Sequence, residues 1–577
     1  MYPFHCSWPE SSWDHTVDVL VVGSGIGAMV AALTAHDEGA NTLLIERSDK
    51  YGGSSAMSAG GLWIPNNRLM GELGIDDSRE DAWNYLKSAT EGSVPDERLR
   101  AFLERAPEML EHLLEKTRLE MVPIAYPDYY PLLPGSKSGG RSIEPTHFHA
   151  RILGGEFRHL RDQAFQSMIA GRIFMTLAEI RLVLSRTRGW MRIVLGLALG
   201  YCLDLPWRLE SRRDRNLAMG NALVGMLRRS LMDRELPLWL NTPARELLVE
   251  DDRVIGVRAL QDGGPVRIRA TQGILLGTGG FEANQAMREK YLPHPTRAEW
   301  TCASPENQGD AIEMGGAVGA GFDLMDDAWW GPVSVVPGED RARMLVVEKS
   351  MPGGILVDQR GERFVNESLP YNDLVHTMYA KNTPDAPCIP AYLIFDANYR
   401  HKYPSGPALQ SAQQPDWALP RALKKAGYLK KADTLADLAA QLGIGAEGLA
   451  ATVARLNEYA RTGVDLDFHR GETDIERYYG DARVEPNPCL APLSESPFYA
   501  IEVNPGEIGT KGGLRTDALA RVLKSSGEVI PGLYAFGNCS ASVMGRTYPG
   551  AGATLSAAAT FGYIAAKHAS GERCAAR

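Results

Sequence analysis

The sequence predicts an α/β fold: a discontinuous Rossmann-like dinucleotide-binding domain with an α+β domain inserted into it. Three observations carry this. Residues 16–22 are largely β-branched and apolar, which suits a parallel strand covered on both faces. The run Gly23-Ser24-Gly25-Ile26-Gly27-Ala28 follows directly and opens a helical pattern to about residue 38. A second strand, 41–45, then ends on Glu46.

Size and composition bound the rest. At roughly 100–200 residues per domain, 577 residues imply two to four lobes. A formal net charge of −10 excludes a general nucleic-acid binder, which needs a basic surface. The seven Cys are scattered singly, without a CxxC, which argues against a disulfide framework or a Cys-rich metal site and suits a reducing compartment. The first fifteen residues hold no basic segment followed by an apolar one, so no secretory leader is predicted. No apolar run reaches the roughly twenty residues of a spanning helix, so none is predicted.

Along the chain, a helical stretch covers about 79–120, and a loop rich in Tyr, Pro and Gly covers 123–144. The segment 151–230 carries 14 Arg against 6 acidic residues around an apolar run at 193–203. Strand and turn rhythm returns from about 237 and closes at Gly279-Gly280. Residues 286–490 alternate short strands and helices without dinucleotide-type glycine spacing. Glycine-rich texture then returns after 498, followed by a small-residue helix to about 569. The predicted division is 1–285 and 491–577 for the dinucleotide domain, with 286–490 inserted as the catalytic domain.

Gly23, Gly25 and Ala28 form a GxGxxA turn. Gly23 permits the tight turn, Gly25 lets a pyrophosphate reach the backbone, and Ala28 allows close helix packing. The helix start, with Ser24, Ile26 and Gly27, offers N–H groups to an anion. Glu46, 21 residues past Gly25 and followed by Arg47, suits a ribose hydroxyl. A second glycine-rich loop comes next, with Gly52, Gly53, Ser54, Ser55, Ser58, Ala59, Gly60 and Gly61. NAD does not need such a loop, whereas the longer FAD does. Gly279, Gly280, Gly537, Asn538, Thr554 and Leu555 complete the expected cradle, with a late helix start at the isoalloxazine end. No His occurs in the 52–58 loop, so the FAD is expected to be non-covalent.

Several stretches together, among them PDYYP, GTGGFEANQAMREKY, DAWWGP, RFVNESLPY, DFHRGE, GTKGGLRTD and TYPGAGATL, resemble the 3-ketosteroid Δ1-dehydrogenases of the fumarate-reductase-type flavoprotein superfamily. The resemblance covers nearly the whole chain. It implies FAD-dependent insertion of a C1–C2 double bond into 3-keto-4-ene steroids. It also implies a base in the NESxxY stretch, Tyr371, and a carbonyl-holding pair in YPGxG, Tyr548 and the Gly552 N–H. The helper Tyr lies in the PDYY loop: Tyr129 is chosen, and Tyr130 is its neighbour. The implied mechanism has Tyr371 take a proton from C2 while C1 loses hydride to flavin N5. Such a base is expected to have a lowered pKa, because an ordinary phenol near 10 is protonated at neutral pH.

Other readings draw on the same residues. A related 4(5α)-dehydrogenase would act elsewhere on the same steroids. A fumarate-type reductase would clamp a small dicarboxylate with Arg and His. The His-Pro-Thr at 294–296 reads as a connecting loop, while Trp329, Trp330 and the Tyr cluster suit a flat apolar ligand. A flavin-bound carrier without turnover is the non-enzyme alternative. His147 and His149 could share a strand face, but no third ligand is evident and no metal is predicted. The apolar run, with Arg186, Arg188, Arg192, Arg208, Arg212, Arg213 and Arg215 around it, makes 186–215 a candidate membrane-surface segment. The expected location is cytoplasmic, with peripheral attachment to the inner face of the membrane as a candidate. Without a ferredoxin-type Cys motif, electrons are expected to leave to an external acceptor, a quinone being the candidate.

Overall fold

The structure, a computed structural model, describes residues 12–164, 167–169, 171–184 and 189–571. Arg186 and Arg188 of the basic segment lie outside these residues.

The first strand, β1 (His15–Val22), is the centre of a mixed sheet. It pairs in parallel with β2 (Thr42–Ile45) on one side and with Gly264–Leu276 on the other. Val19, Leu20 and Val21 are fully buried, as a strand covered on both faces requires. Between β1 and β2 runs α1 (Ile26–Asp37). The antiparallel strands Ala244–Glu250 and Arg253–Gln261 extend the sheet outward. Val529–Ala535 returns from late in the chain to pair in parallel with Gly264–Leu276. The C-terminal helix Ala553–Gly571 packs on α1. The approach is backbone to backbone. A Cβ on Gly27 would sit 2.6 Å from the Ala558 carbonyl oxygen, and one on Gly562 would overlap the Gly27 carbonyl.

The second sheet belongs to the inserted part. Its strands run Arg343–Met344, Ala328–Ser334, Phe498–Thr510, Ala391–Phe395 and Ile355–Val357. Phe498–Thr510 is the hub: Ala328–Ser334 pairs along its second half and Ala391–Phe395 along its first. This corrects the predicted boundary. The chain rejoins the first sheet at Arg521–Leu523 and Val529–Ala535, not at 491. Only Glu502 on this strand is exposed, so it shows no alternation to mark its sheet. The glycines after it mark its end, not a new domain.

The predicted 79–120 helix is two helices, Arg79–Ala89 and Asp96–Lys116. They part where Glu91 and Gly92 both take positive φ. In the 151–230 segment, Leu177–Leu184 is docked to the body, and Trp190–Leu203 packs on that helix and on Ile173–Phe174. The Glu144 carboxylate accepts the Leu177 and Ala178 N–H groups at 2.6 and 3.1 Å, which caps the first of these helices. Arg181 donates to the Ala125 carbonyl at 3.1 Å and lies 4.1 Å over the Tyr478 ring. No residue of Trp190–Leu203 is buried. Among the described residues, no helix is long and apolar enough to cross a membrane.

Candidate active site

The loop carrying Tyr129 is fixed by one buried carboxylate. Asp128 accepts from Trp63 Nε1 at 2.8 Å, from Arg141 at 2.8 Å and from the Lys137 N–H at 2.9 Å. The loop is also sewn to the 548–552 turn, since the Tyr129 N–H and the Tyr85 hydroxyl both donate to the Pro549 carbonyl, at 3.1 and 2.6 Å.

Tyr371 opens the helix Tyr371–Lys381. The stretch before it is held by buried cations. Arg363 grips Glu367 through two bonds, at 2.9 and 2.8 Å. Arg470 adds bonds to Glu367 and Ser368 Oγ, both at 3.0 Å. Lys349 donates to the Glu367 and Leu369 carbonyls at 2.8 and 2.7 Å.

The structure brings Tyr129, Tyr371, Tyr548 and Gly552 together. The Tyr129 hydroxyl donates to the Tyr371 oxygen at 3.0 Å. Ring centres of the three tyrosines lie 5.3–5.5 Å apart in every pair. Thr554 Oγ1 donates to the Tyr548 hydroxyl at 3.3 Å. Gly552 has φ +103°, and a Cβ there would lie 2.6 Å from the Gly61 carbonyl oxygen, so only glycine fits. Trp329 packs edge-on to Tyr548, with centres 5.0 Å apart. The Tyr130 hydroxyl donates to Asp373 at 3.1 Å and accepts the Tyr548 N–H at 3.3 Å; it makes no bond to the Tyr371 hydroxyl. Trp330 turns away, its indole N–H on Asp327 and its ring on Tyr379, because neighbours on a strand face opposite sides.

The residues expected at the cofactor are joined to one another and to the tyrosine cluster. Ser24 Oγ donates to Glu46 at 2.5 Å and accepts the Gly52 N–H at 3.0 Å. Ser55 Oγ accepts the Ile26 N–H at 3.1 Å, which joins the first glycine turn to the second glycine loop. Ser54 Oγ accepts from the Ser304 N–H and from Asn307, each at 3.0 Å. Asn307 fills the space beside Gly279, and Gly280 lies against Thr510. Asn538, next to Gly537, accepts the Trp329 indole N–H at 3.2 Å. Ser58 bonds Ser55 and the Gly60 N–H, while Gly61 is buried and Ala59 exposed. Arg47 is engaged by Asp310 at 2.7 Å. Leu555 is partly buried on the core cluster that also holds Tyr548.

Comparison with known proteins decides the family. The FAD binding domain family matches residues 18–555. The chain is 42% identical to the 3-oxosteroid 1-dehydrogenase of Mycobacterium tuberculosis, covering 96% of this chain and 98% of that one. The chain belongs to the FAD-dependent 3-oxosteroid 1-dehydrogenase family. The crystal structure of 3-ketosteroid Δ1-dehydrogenase from Sterolibacterium denitrificans, in complex with 1,4-androstadiene-3,17-dione, is 47% identical. It superposes with a TM-score of 0.93 over 97% of this chain and all of that one. A 4-oxocyclohexanecarboxylate 2-dehydrogenase from Sinomonas cyclohexanicum is 36% identical, covering 96% of this chain and 93% of that one.

FAD is therefore the cofactor, and the residues fit it. Gly25 caps α1 and Gly52 caps the helix Gly53–Met57, neither with a side-chain cap bond. The Ile26 N–H is taken by Ser55 Oγ and the Gly52 N–H by Ser24 Oγ, so an anion at either helix start would meet the N–H groups of the following residues. Glu46 is buried, with Ser24 and the Ser48 N–H on its carboxylate. Burial raises its pKa, the two hydrogen bonds opposing.

The electrostatics of Tyr371 reverse the expectation of a lowered pKa. Burial pushes its phenol well above the ordinary range, and the neighbouring Tyr548 adds to this. The hydrogen bond from Tyr129 pulls the other way and is outweighed. Tyr129 is raised by burial and then by Tyr371 and Tyr548.

Residues that the sequence reading missed complete the wall. The Tyr126 hydroxyl lies 3.4 Å from that of Tyr129. Its ring packs on Tyr478 and Tyr479, at 4.5 and 5.9 Å. The only sequence signal for the latter two is the Tyr pair itself. His147 and His149 diverge: His147 Nε2 lies 3.0 Å from Glu179, and His149 Nδ1 accepts the Arg151 N–H at 3.3 Å. His294 Nε2 lies 3.1 Å from the Glu289 carbonyl oxygen, within its own loop.

Proposed function

We propose that this chain introduces a C1–C2 double bond into the A ring of 3-keto-4-ene steroids. The observation that carries the reading is the convergence of one hydroxyl relay and one pair of donors. Tyr371 takes the proton from C2. Tyr129, 3.0 Å away, donates a hydrogen bond to the Tyr371 oxygen and stabilises charge as it forms. The Tyr548 hydroxyl and the Gly552 N–H hold the C3 oxygen, where enolate charge develops as the proton leaves. Trp329 supplies an apolar wall beside that pair. When bound, FAD supplies the acceptor for the hydride that leaves C1. The cofactor contacts assigned above to the 23–28, 46–47, 52–61, 279–280, 537–538 and 554–555 positions are part of the same reading.

Anaerobic mixing with a 3-keto-4-ene steroid tests it. The flavin band should bleach, and the product should be the 1,4-diene. Tyr371→Phe should slow bleaching by roughly 100- to 10,000-fold. A product altered at C4–C5 would favour the 4(5α) reaction. Bleaching only by a small cyclic oxo-acid would move the substrate class toward that named for the Sinomonas relative.

The finer partner reading concerns 186–215. Trp190–Leu203 has no buried residue, and Leu195, Leu199 and Leu203 are 68%, 59% and 65% exposed. We infer that this helix lies in a membrane interface, with the exposed Arg192 and Arg212 meeting anionic headgroups, while Arg208 and Arg215 turn inward, Arg215 onto Asp204 at 2.8 Å. A quinone in that bilayer is the proposed electron acceptor. The wild type should float with phosphatidylglycerol vesicles. A variant with Leu195, Leu199 and Leu203 all changed to Glu should stay behind yet still be bleached by steroid. Equal flotation of both would remove the reading.

A further inference from the structure

Lys511 follows the strand Phe498–Thr510 and is completely buried. A buried ammonium is costly unless its hydrogens are taken, so what takes them is informative. Its Nζ donates to the Arg546 carbonyl at 2.6 Å and to Asn372 Oδ1 at 3.2 Å, and lies 3.4 Å from Asp327 Oδ2. Three acceptors meet three N–H bonds. Nζ also sits 5.0 Å from the Trp329 ring centre.

Those acceptors lie on three segments far apart in the sequence, and each is a short step from the tyrosine cluster. Asn372 directly follows Tyr371. Arg546 precedes Tyr548 by two residues. Asp327 precedes Trp329, the wall against Tyr548, by two. The same segments are tied once more around the lysine. Asn372 Nδ2 donates to the Arg546 carbonyl at 3.3 Å. The Tyr130 hydroxyl, itself donating to Asp373, accepts the Tyr548 N–H at 3.3 Å.

We propose that Lys511 is a positioning residue for the reaction: it sets the spacing between Tyr371 and the Tyr548–Gly552 pair. This rests on the C1–C2 dehydrogenation reading above. C2 and C3 are bonded neighbours, so base and donors must address adjacent atoms of one ring at once. The two groups sit on elements that share little backbone, and Lys511 joins them through Asn372 on one side and the Arg546 carbonyl on the other. Misplacement by about 1 Å costs roughly 100-fold in such an arrangement.

Lys511→Met keeps the stem and removes the three N–H bonds. At saturating steroid its bleaching rate should fall by roughly 100-fold. Affinity for the dienone product, read from its perturbation of the flavin band, should change by less than about twofold, because the fault is in alignment rather than contact. The double variant Lys511→Met with Asp327→Asn separates positioning from a stranded charge. It should stay slow; recovery to the wild-type rate would mean that the Asp327 charge, left with His376 and Trp330 but no lysine, caused the loss, and would overturn the proposal. Asn372→Leu gives a second route, should the lysine variants fail to fold. It leaves the Lys511–Asp327 pair in place and cuts the base helix's side-chain ties to both Lys511 and the Arg546 carbonyl. Slow bleaching with unchanged product affinity supports the proposal, and a wild-type rate overturns it. If the wild type bleaches normally and Lys511→Met matches it, only this inference falls. If the wild type bleaches with no 3-ketosteroid, the reading beneath it falls as well.

Discussion

The Tyr129 and Tyr371 hydroxyls lie 3.0 Å apart, and in the proposed mechanism this contact governs the base. Burial opposes its phenolate, and the Tyr129 hydrogen bond favours it. Because burial wins, the charged form is scarce at neutral pH and grows as pH rises toward the raised pKa. The bleaching rate should therefore climb through the alkaline range with no plateau below about pH 10. Tyr129→Phe removes the one bond that lowers the pKa. It should slow bleaching at neutral pH by about 10- to 100-fold and move the alkaline rise to higher pH. Stopped-flow bleaching across pH, wild type against variant, measures both. At this scale the sequence was legible where a residue sits inside a recognisable motif, as Tyr371 and Tyr548 do. Lys511 and Tyr126 were not legible. The lysine meets Asp327 across 184 positions and Asn372 across 139, and no local pattern encodes such a meeting.

Elements set those residues in place, and Asp128 shows how. It ties the Tyr129 loop to Trp63 and to the buried Arg141. Asp128→Ala leaves Arg141 with Asp77 as its remaining carboxylate, inside a region where it is 1% exposed. Removing one partner of a buried pair costs about 3–5 kcal/mol, so the thermal midpoint should drop clearly. Calorimetry of the holoprotein measures it; an unchanged midpoint would show that Asp77 alone suffices. The β1–α1–β2 unit was legible because strand, glycine turn, helix and acid are consecutive. The strand Phe498–Thr510 was not. Both its faces are covered, so it lacks the alternation that assigns a strand to a sheet. The split of 79–120 was missed for a different reason: Glu91 takes positive φ, a conformation its identity does not announce.

Across the whole molecule, buried tyrosines are spread over both domains. Tyr51, Tyr85 and Tyr129 on the first side, and Tyr371, Tyr399 and Tyr403 on the second, are all pushed above the ordinary phenol range by burial. The folded state keeps these protons longer than the unfolded chain does. Stability from this source is thus complete below the unfolded phenol value, about 10, and is lost as pH rises past it. Urea midpoints should be flat from neutral pH to about 9 and fall beyond about 10 on this account. A midpoint that held steady to pH 11 would contradict it. The two-domain plan itself was legible from where glycine-rich texture stops and resumes. Its seam was misplaced because one long strand serves the inserted sheet while lying next to the returning glycines. One contact described for the fold has a wider effect. The helix that begins at the dinucleotide turn and the helix that begins after Gly552 touch through bare peptide at Gly27, Ala558 and Gly562. Backbone meets backbone there, with the Phe536 ring also against Gly27, so on the proposed reading the gap between the pyrophosphate seat and the ketone seat is a fixed gauge. On that reading a substrate is measured from its carbonyl end, and change in what is accepted falls to residues away from this contact.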